Sequence, residues 1–92
     1  MSTGTHHDTE KLVMRLNRIE GQIGGIRKML ESDSPCDEII IQINSARSAL
    51  QKISQIVLED HLRHCVLEAL EGGKEPQLES LKRAMNQFSK MA

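Results

Sequence analysis

The two cysteines of this 92-residue chain both lie in one long stretch that contains no glycine. Cys36 begins the stretch directly after Pro35, and Cys65 lies near its end, four residues after His61. If the stretch is a helix, His61 and Cys65 project from one face a single turn apart and can share a ligand. Cys36 precedes Cys65 by 29 positions, or about 43 Å of helix at ~1.5 Å per residue, which no metal site or disulfide spans.

The distance between the cysteines leaves two interpretations. In the first, the cysteines are small buried apolar side chains and His61 is an ordinary surface residue. In the second, the helix pairs with an antiparallel copy of itself, so that Cys36 of one chain meets His61 and Cys65 of the other. The midpoint of such a pair falls in an apolar seam at Leu50. The second interpretation predicts two identical Cys-His-Cys sites related by a twofold axis.

A site with two thiolates and one imidazole predicts a soft metal ion. Sulfur ligands favour Cu(I) or Zn(II) over hard cations, and three ligands suit trigonal Cu(I). A tetrahedral Zn(II) or a square-planar Ni(II) needs a fourth ligand. Water is one candidate, and the others are the remaining histidines, His6, His7 and His64. His64 projects about 100° away from Cys65 around a helix, so we expect it to lie outside the Cys-His-Cys set.

Length and composition indicate one small all-α domain. Apolar residues make up 38% of the chain and charged residues 27%, which argues against disorder, and the single aromatic residue argues against a β-sandwich. We expect residues 1–8 to form a flexible tail and residues 9–92 a single helical domain, too small to be very stable alone. No apolar run approaches the ~20 residues of a membrane span and the N-terminal segment is polar, which favours a cytoplasmic protein with reduced thiols.

Two heptad seams predict two long helices. Six apolar residues in each segment are spaced 4-3-4-3-4, the pattern of a helix that packs along one line. Gly21, Gly24 and Gly25 interrupt the first pattern, and each costs on the order of 1 kcal/mol relative to Ala in a helix. We therefore expect another backbone to approach closely there. The first seam is Leu12, Leu16, Ile19, Ile23, Ile26 and Leu30; the second is Ile39, Ile43, Ala46, Leu50, Ile53 and Val57.

Turn signals divide the chain into three helices. Asp8 or Thr9 can cap the first helix, a turn at residues 32–35 separates it from the second, and the paired glycines at 72–73 end the second. A short third helix then carries the apolar stripe of residues 78–88. The expected protomer has three helices: a long antiparallel helix hairpin plus a short third helix at one end.

The net charge of −1 conceals a basic stripe on the first predicted helix. Lys11, Arg15, Arg18 and Gln22 recur at 4-3-4 spacing beside the apolar seam, and Lys52 of the second helix extends the stripe. Phosphate contacts need Lys or Arg, so the stripe indicates double-stranded DNA as a partner. The alternative is an ordinary solvated helix face. The sequence has no zinc-finger spacing, and a single aromatic residue does not provide a stacking surface for single strands.

Four blocks of sequence carry a family resemblance. They are RLNRIEGQIGGIRKMLE, then Cys36, then QINSARSAL, then LEDHLRHCV. In this combination the chain resembles the copper-sensitive operon repressor (CsoR/RcnR/FrmR) family of all-helical bacterial repressors, over roughly residues 9–90. The resemblance implies a three-helix protomer that assembles as a homotetramer, a dimer of dimers. It also implies that the metal-free protein binds operator DNA and that metal binding releases it.

The resemblance assigns roles to individual residues. Cys36, His61 and Cys65 match the copper ligands of such repressors. Two positions depart from the family pattern, since Pro35 stands where Tyr often precedes the first Cys, and Ser80 stands where a Glu often completes a hydrogen-bond network to the ligand His. The positions that match DNA-contacting residues of the family are Arg15, Arg18 and Lys52.

Other members of the family and other classes of protein leave alternatives open. A Ni(II) sensor is one, because some nickel-sensing members keep this second Cys and add an N-terminal His. A persulfide sensor is another, because those members keep two cysteines, here Cys36 and Cys65, and usually lack the His. A structural helical module, held by Zn(II) or by no metal, is a third. An enzyme is not expected, because the cysteines have no obvious orienting partner for nucleophilic catalysis and the chain has no cofactor-binding loop.

Overall fold

The structure is a computed structural model that describes residues 8–71 and 78–91. Its helices are α1 (Thr9–Glu31), α2 (Cys36–Glu71) and α3 (Leu78–Ser89). The described residues contain no strand, and the all-α, three-helix prediction is confirmed. Apart from Asp8, the expected tail lies outside the described residues, as do the glycines at 72–73 that are expected to end the second helix. None of the helices in the described ranges is long and apolar enough to cross a membrane.

Helix α1 begins at a capped N-terminus. The Asp8 carboxylate accepts a hydrogen bond from the backbone N–H of Lys11 at 3.2 Å, which satisfies one of the four amide donors that a helix start leaves unpaired. Glu10 adds a negative charge in the first turn, where the helix dipole favours it. Of the two caps that the sequence predicts, Asp8 and Thr9, the structure therefore uses Asp8.

Helix α1 ends in a Schellman motif, which turns the chain into α2. Asp33 has a φ of 59°, in the left-handed region, and its N–H donates to the carbonyl of Leu30 at 3.3 Å. The next N–H, of Ser34, reaches back to the carbonyl of Met29 at 2.9 Å. This pair of bonds satisfies the last carbonyls of the helix, and glycine is the usual residue at the left-handed position. The expected turn at residues 32–35 is thus present, and Asp33 occupies the left-handed position at which glycine is usual.

Residues 8–53 form one compact unit, in which α1 lies antiparallel to the first half of α2. The side-chain amide of Gln22 donates to the backbone carbonyl of Gln42 at 3.5 Å and so links the two helices near the middle of α1. The buried apolar residues of this unit are Leu12, Ile19 and Ala46.

The α1 seam is only half covered within the protomer. Leu12 and Ile19 are buried, but the members that alternate with them include a row of three residues between 41% and 63% exposed. This row, spaced by seven, is Leu16, Ile23 and Leu30. A two-helix hairpin covers each helix from one side only, so the remaining positions of the seam stay open. The seam predicted from the sequence is present, but the protomer does not bury all of it.

The glycines of α1 meet no neighbour in the described chain. A Cβ atom added at Gly21, Gly24 or Gly25 would have no other atom of the described residues within 4 Å beyond its own helix turn. The close backbone that the sequence leads us to expect there is therefore absent from the described protomer. Packing elsewhere along α1 must offset the roughly 1 kcal/mol that each glycine costs in a helix.

A second compact unit combines the end of α2 with α3. It includes the described residues from Ser54 onward. Its buried side chains, among the residues described, are Leu81 of α3 and two residues of α2, His61 and Cys65. A thiol and an imidazole thus occupy core positions of this unit. The assignment of residues 9–92 to a single domain stays a prediction.

The left-handed Asp33 offers a test of the turn. Asp33→Gly should raise the free energy of unfolding by about 0.5–1 kcal/mol, because glycine adopts positive φ without a clash between Cβ and the backbone. Asp33→Ala is the matched control and should lower it, since Ala keeps the Cβ and lacks the polar group that helps Asp tolerate this conformation. Urea unfolding followed by circular dichroism measures both. Equal stabilities of the two variants would contradict this account of the turn.

Candidate metal centre

His61 and Cys65 lie one turn apart on α2, and both are buried within their unit. His61 is 8% exposed and Cys65 is 4% exposed. Their four-residue spacing places imidazole and thiol on one face of the helix. The neighbour relation expected from the sequence for these two side chains is therefore present in one chain. Cys65 is also a free thiol, so its sulfur is available to a ligand.

The imidazole of His61 has an unsatisfied nitrogen. Its Nε2 atom is buried and has no hydrogen-bond partner among the described residues. Leaving a buried polar atom unpaired costs roughly 1–3 kcal/mol, so its presence in a native core calls for a ligand or an ordered water. Imidazole nitrogen and thiolate sulfur are both ligands that soft metal ions prefer. The buried pair therefore fits such an ion.

Cys36 does not belong to this buried group. It is the first residue of α2 and is exposed, whereas Cys65 lies in the last third of the same helix. Every residue between the two is helical. In the part of the chain that the structure describes, no three His, Cys, Asp or Glu side chains are arranged to hold a metal ion. One unit thus brings together two of the three predicted ligands, and Cys36 belongs to the other unit.

A second polar pair lies beside the buried one on α2. Nε2 of His64 is 3.3 Å from Oε2 of Glu68, and the two side chains are 22% and 21% exposed. The other carboxylate oxygen of Glu68, Oε1, is buried without a hydrogen-bond partner in the described ranges. Glu68 is absent from the sequence-based predictions, although its spacing of four residues from His64 and three from Cys65 is visible in the sequence.

The structure describes both positions that depart from the family pattern, Pro35 and Ser80. Pro35 precedes α2, and its carbonyl accepts hydrogen bonds from the N–H groups of Glu38 at 3.1 Å and Ile39 at 3.2 Å. Ser80 is half-buried in the first turn of α3 and makes no hydrogen bond to Nε2 of His61. Within residues 8–71 and 78–91, no side chain orients the imidazole through that nitrogen, a role that carboxylates and carbonyls often fill at metal sites.

The basic residues of α1 form an exposed face. Lys11, Arg15 and Arg18 are all exposed, and together with Met14 they line a groove of about 160 Å³. Lys11 lies 3.7 Å from the carboxylate of Asp8, but no carboxylate of the described chain pairs with either arginine. The two guanidinium groups are therefore available to an anion outside the protomer.

The other members of the predicted basic stripe differ from one another. Lys52 is exposed on α2. Gln22, which continues the spacing in the sequence, instead donates to the carbonyl of Gln42, because α2 lies against this part of α1. The exposed basic face of α1 described above therefore consists of Lys11, Arg15 and Arg18.

The helical region as a whole matches one known family. A family model described as a metal-sensitive transcriptional repressor matches residues 8–90. The chain belongs to this family. The resemblance drawn from four blocks of sequence is therefore confirmed, and the chain is a metal-sensitive transcriptional repressor.

Named members of the family show how close the similarity is. The copper-sensing transcriptional repressor CsoR of Bacillus subtilis (strain 168) is 36% identical over 84 residues, which cover 90% of this chain and 83% of the relative. The copper-sensing repressor CsoR with Cu(I) from Geobacillus thermodenitrificans NG80-2 has a TM-score of 0.79 at 38% identity, covering 97% of this chain and 94% of that one. The nickel-responsive transcriptional regulator InrS has a TM-score of 0.80 at 38% identity, covering 95% and 99%.

Proposed function

We propose that this repressor responds to Cu(I): its metal-free form binds operator double-stranded DNA, and its metal-bound form releases the DNA. The observation that carries the proposal is the buried pair of His61 and Cys65 with its unsatisfied imidazole nitrogen. The names of copper-sensing relatives support Cu(I) as the signal. Ni(II), suggested by the nickel-responsive relative, is the alternative, and it requires a fourth ligand.

We infer that the complete site forms between two copies of the chain. Cys36 of one copy joins His61 and Cys65 of the other. A row of three apolar residues on α2, spaced by seven, supports this arrangement, because it stays between 38% and 47% exposed in the protomer. Its middle member lies midway between the two halves of the site, so antiparallel pairing there buries the row and completes two sites at once. The row is Ile43, Leu50 and Val57.

A second exposed row supports a larger assembly. Leu16, Ile23 and Leu30 of α1 are also spaced by seven and open in the protomer. A helix that exposes such a row in water gains by packing it against another copy, since burial of each large apolar side chain contributes about 1.5–3 kcal/mol. Two distinct rows on two helices are what a homotetramer built as a dimer of dimers requires. The open glycines of α1 leave room for a close helix approach in that assembly.

The three ligands give the site its chemistry. Bound Cu(I) would supply strong bonds to two thiolates and one imidazole, contributed by two chains. The residues on the two chains are thereby tied together, which favours one arrangement of the assembly over the other. To change a 99:1 preference for the DNA-bound form into 1:99, the ligand must discriminate between the two arrangements by about 5.5 kcal/mol. Reduced thiols are needed throughout, a condition that supports a cytoplasmic location in this proposal.

The basic face supplies the DNA contacts in this proposal. The side chains are exposed, and the two arginines are unpaired with any carboxylate of the described chain. Such groups neutralise phosphates and fix the position of the protein on a duplex without reading its sequence. The work of the protein is then binding and release, with no chemical step for an enzyme to perform. The residues in this role are Lys11, Arg15, Arg18 and Lys52.

Removal of single cations tests the basic face. Arg15→Ala and Arg18→Ala should each weaken operator binding and reduce the slope of log affinity against log salt by about one, because each loses one phosphate contact. Lys82→Ala removes an exposed cation of α3 and is the matched control, with an unchanged slope expected. Fluorescence anisotropy of a labelled operator at several salt concentrations measures this. Wild-type slopes in both arginine variants would refute the assignment.

An anaerobic metal titration tests the choice of signal. Cu(I) should release a labelled operator at about one equivalent per chain, because two chains share two sites. His61→Ala should weaken the Cu(I) response by about tenfold or more, since it deletes a ligand and even supporting residues at metal sites contribute that much.

The same variant separates copper sensing from sulfur sensing. A disulfide or polysulfide link between Cys36 and Cys65 of two chains does not need the imidazole, so reactive sulfur should still act on His61→Ala if the persulfide alternative is correct. Cys36→Ser is the control that should abolish both responses. If Cu(I) releases the operator from His61→Ala as it does from the wild type, the assignment of the Cys-His-Cys site is wrong.

A further inference from the structure

The His64–Glu68 pair includes a buried carboxylate oxygen that the three-ligand site does not use. Oε2 of Glu68 approaches Nε2 of His64 at 3.3 Å, and Oε1 is buried without a hydrogen-bond partner among the described residues. A buried polar atom without a partner is costly, so the position of Oε1 needs a reason. The pair lies on the same stretch of α2 as His61 and Cys65, so the neighbouring metal site can supply that reason.

His64 is the one histidine besides His61 among the described residues. It lies three residues after His61, a spacing at which two helical side chains can meet. A fourth ligand of this kind would turn a Cys-His-Cys set into two cysteines and two histidines, the tetrahedral set that Zn(II) prefers. A sensor that must answer Cu(I) and not Zn(II) therefore gains from keeping this imidazole away.

The contact with Glu68 can keep the imidazole of His64 away from the metal site. Glu68 lies one turn after His64, towards the C-terminus of α2, whereas His61 lies one turn before it. Nε2, the outer nitrogen of the His64 ring, lies 3.3 Å from Oε2 of Glu68, on the side of His64 opposite to His61 along the helix. A nitrogen in contact with a carboxylate does not reach a metal ion at the same time. The contact with Glu68 thus keeps Nε2 of His64 away from the site.

We propose that Glu68 is a specificity-determining residue that holds His64 out of the metal site and so keeps the site three-coordinate. This inference rests on the proposed metal site of Cys36, His61 and Cys65. Glu68 acts through His64 and does not touch the metal. Its loss should therefore improve the binding of ions that want four ligands, although the variant is less negative and would bind cations more weakly on charge alone.

Metal affinities and one absorption spectrum test the proposal. In Glu68→Ala, affinity for Zn(II), measured by chelator competition, should rise about tenfold, while Cu(I) affinity should change much less. Co(II), a coloured stand-in for Zn(II), should show stronger visible absorption as its site becomes tetrahedral. The double variant Glu68→Ala/His64→Ala should lose both gains, since the freed imidazole is their source.

Two controls separate this effect from folding and from charge. Glu68→Gln keeps an oxygen that can accept from His64 and should behave as the wild type. Glu71→Ala removes an exposed carboxylate from the same helix and should not raise Zn(II) affinity. Helical circular dichroism shows that each variant is folded.

Opposite outcomes overturn the proposal. A lower Zn(II) affinity in Glu68→Ala would mean that Glu68 supports or provides a ligand, and an unchanged affinity and Co(II) spectrum would mean that it does not hold His64. A gain that persists in the double variant would exclude His64 as its source. Failure of Cu(I) to release operator DNA from the wild type would contradict the proposed function instead, and these metal measurements use no DNA.

Discussion

Both thiols of the chain belong to one continuous helix, α2, and a continuous helix keeps its two ends apart. Cys36 begins the helix and Cys65 lies in its last third, with helical backbone throughout. At ~1.5 Å per residue, 29 residues of ideal helix correspond to about 43 Å, roughly ten times what a metal ion with two sulfur ligands allows. The helix would have to break for one chain to use both thiols. A second chain removes the conflict without any strain.

The same helix connects assembly with sensing. Its exposed apolar row is centred on Leu50, midway between Cys36 and the buried pair of His61 and Cys65. In our proposal, the surface that stabilises the dimer is therefore the surface that aligns the ligands. Any change in the packing of two α2 helices would alter the geometry of both sites. A metal ion that fixes the geometry of the sites would in turn change how the two helices pack. Coupling of this kind needs no separate relay between metal site and interface.

Much of the fold could be predicted because it depends on local rules. The heptad spacing, the turn at residues 32–35 and the cap at Asp8 are each written in neighbouring residues, and the structure contains all of them. The proximity of His61 and Cys65 follows from helical periodicity in the same way. The family resemblance added the protomer architecture and the class of protein, which periodicity alone does not contain.

The features that the sequence did not predict depend on which atoms surround a side chain in the folded chain. Spacing groups Gln22 with the basic residues, but α2 lies against it and its amide bonds to Gln42. The glycines of α1 suggest a close neighbour, yet the described chain supplies none. Glu68 looks like one more surface acid in the sequence, because only the structure shows one of its oxygens buried and the other beside His64. Burial and pairing between elements are not encoded in any single run of residues.

Mixing two inactive variants is the most direct measurement of a shared site. Cys36→Ser and Cys65→Ser each destroy every site in their own homodimer, but a mixed dimer retains one intact set: Cys36 from one chain, with His61 and Cys65 from the other. Co-expression with two different tags and purification on both isolates the mixed species. In a tetramer some pairs remain homodimeric, so our account predicts tight Cu(I) binding at about one ion per mixed pair of chains. If the mixed species binds Cu(I) no better than either variant alone, the ligands do not come from two chains and the central claim is wrong.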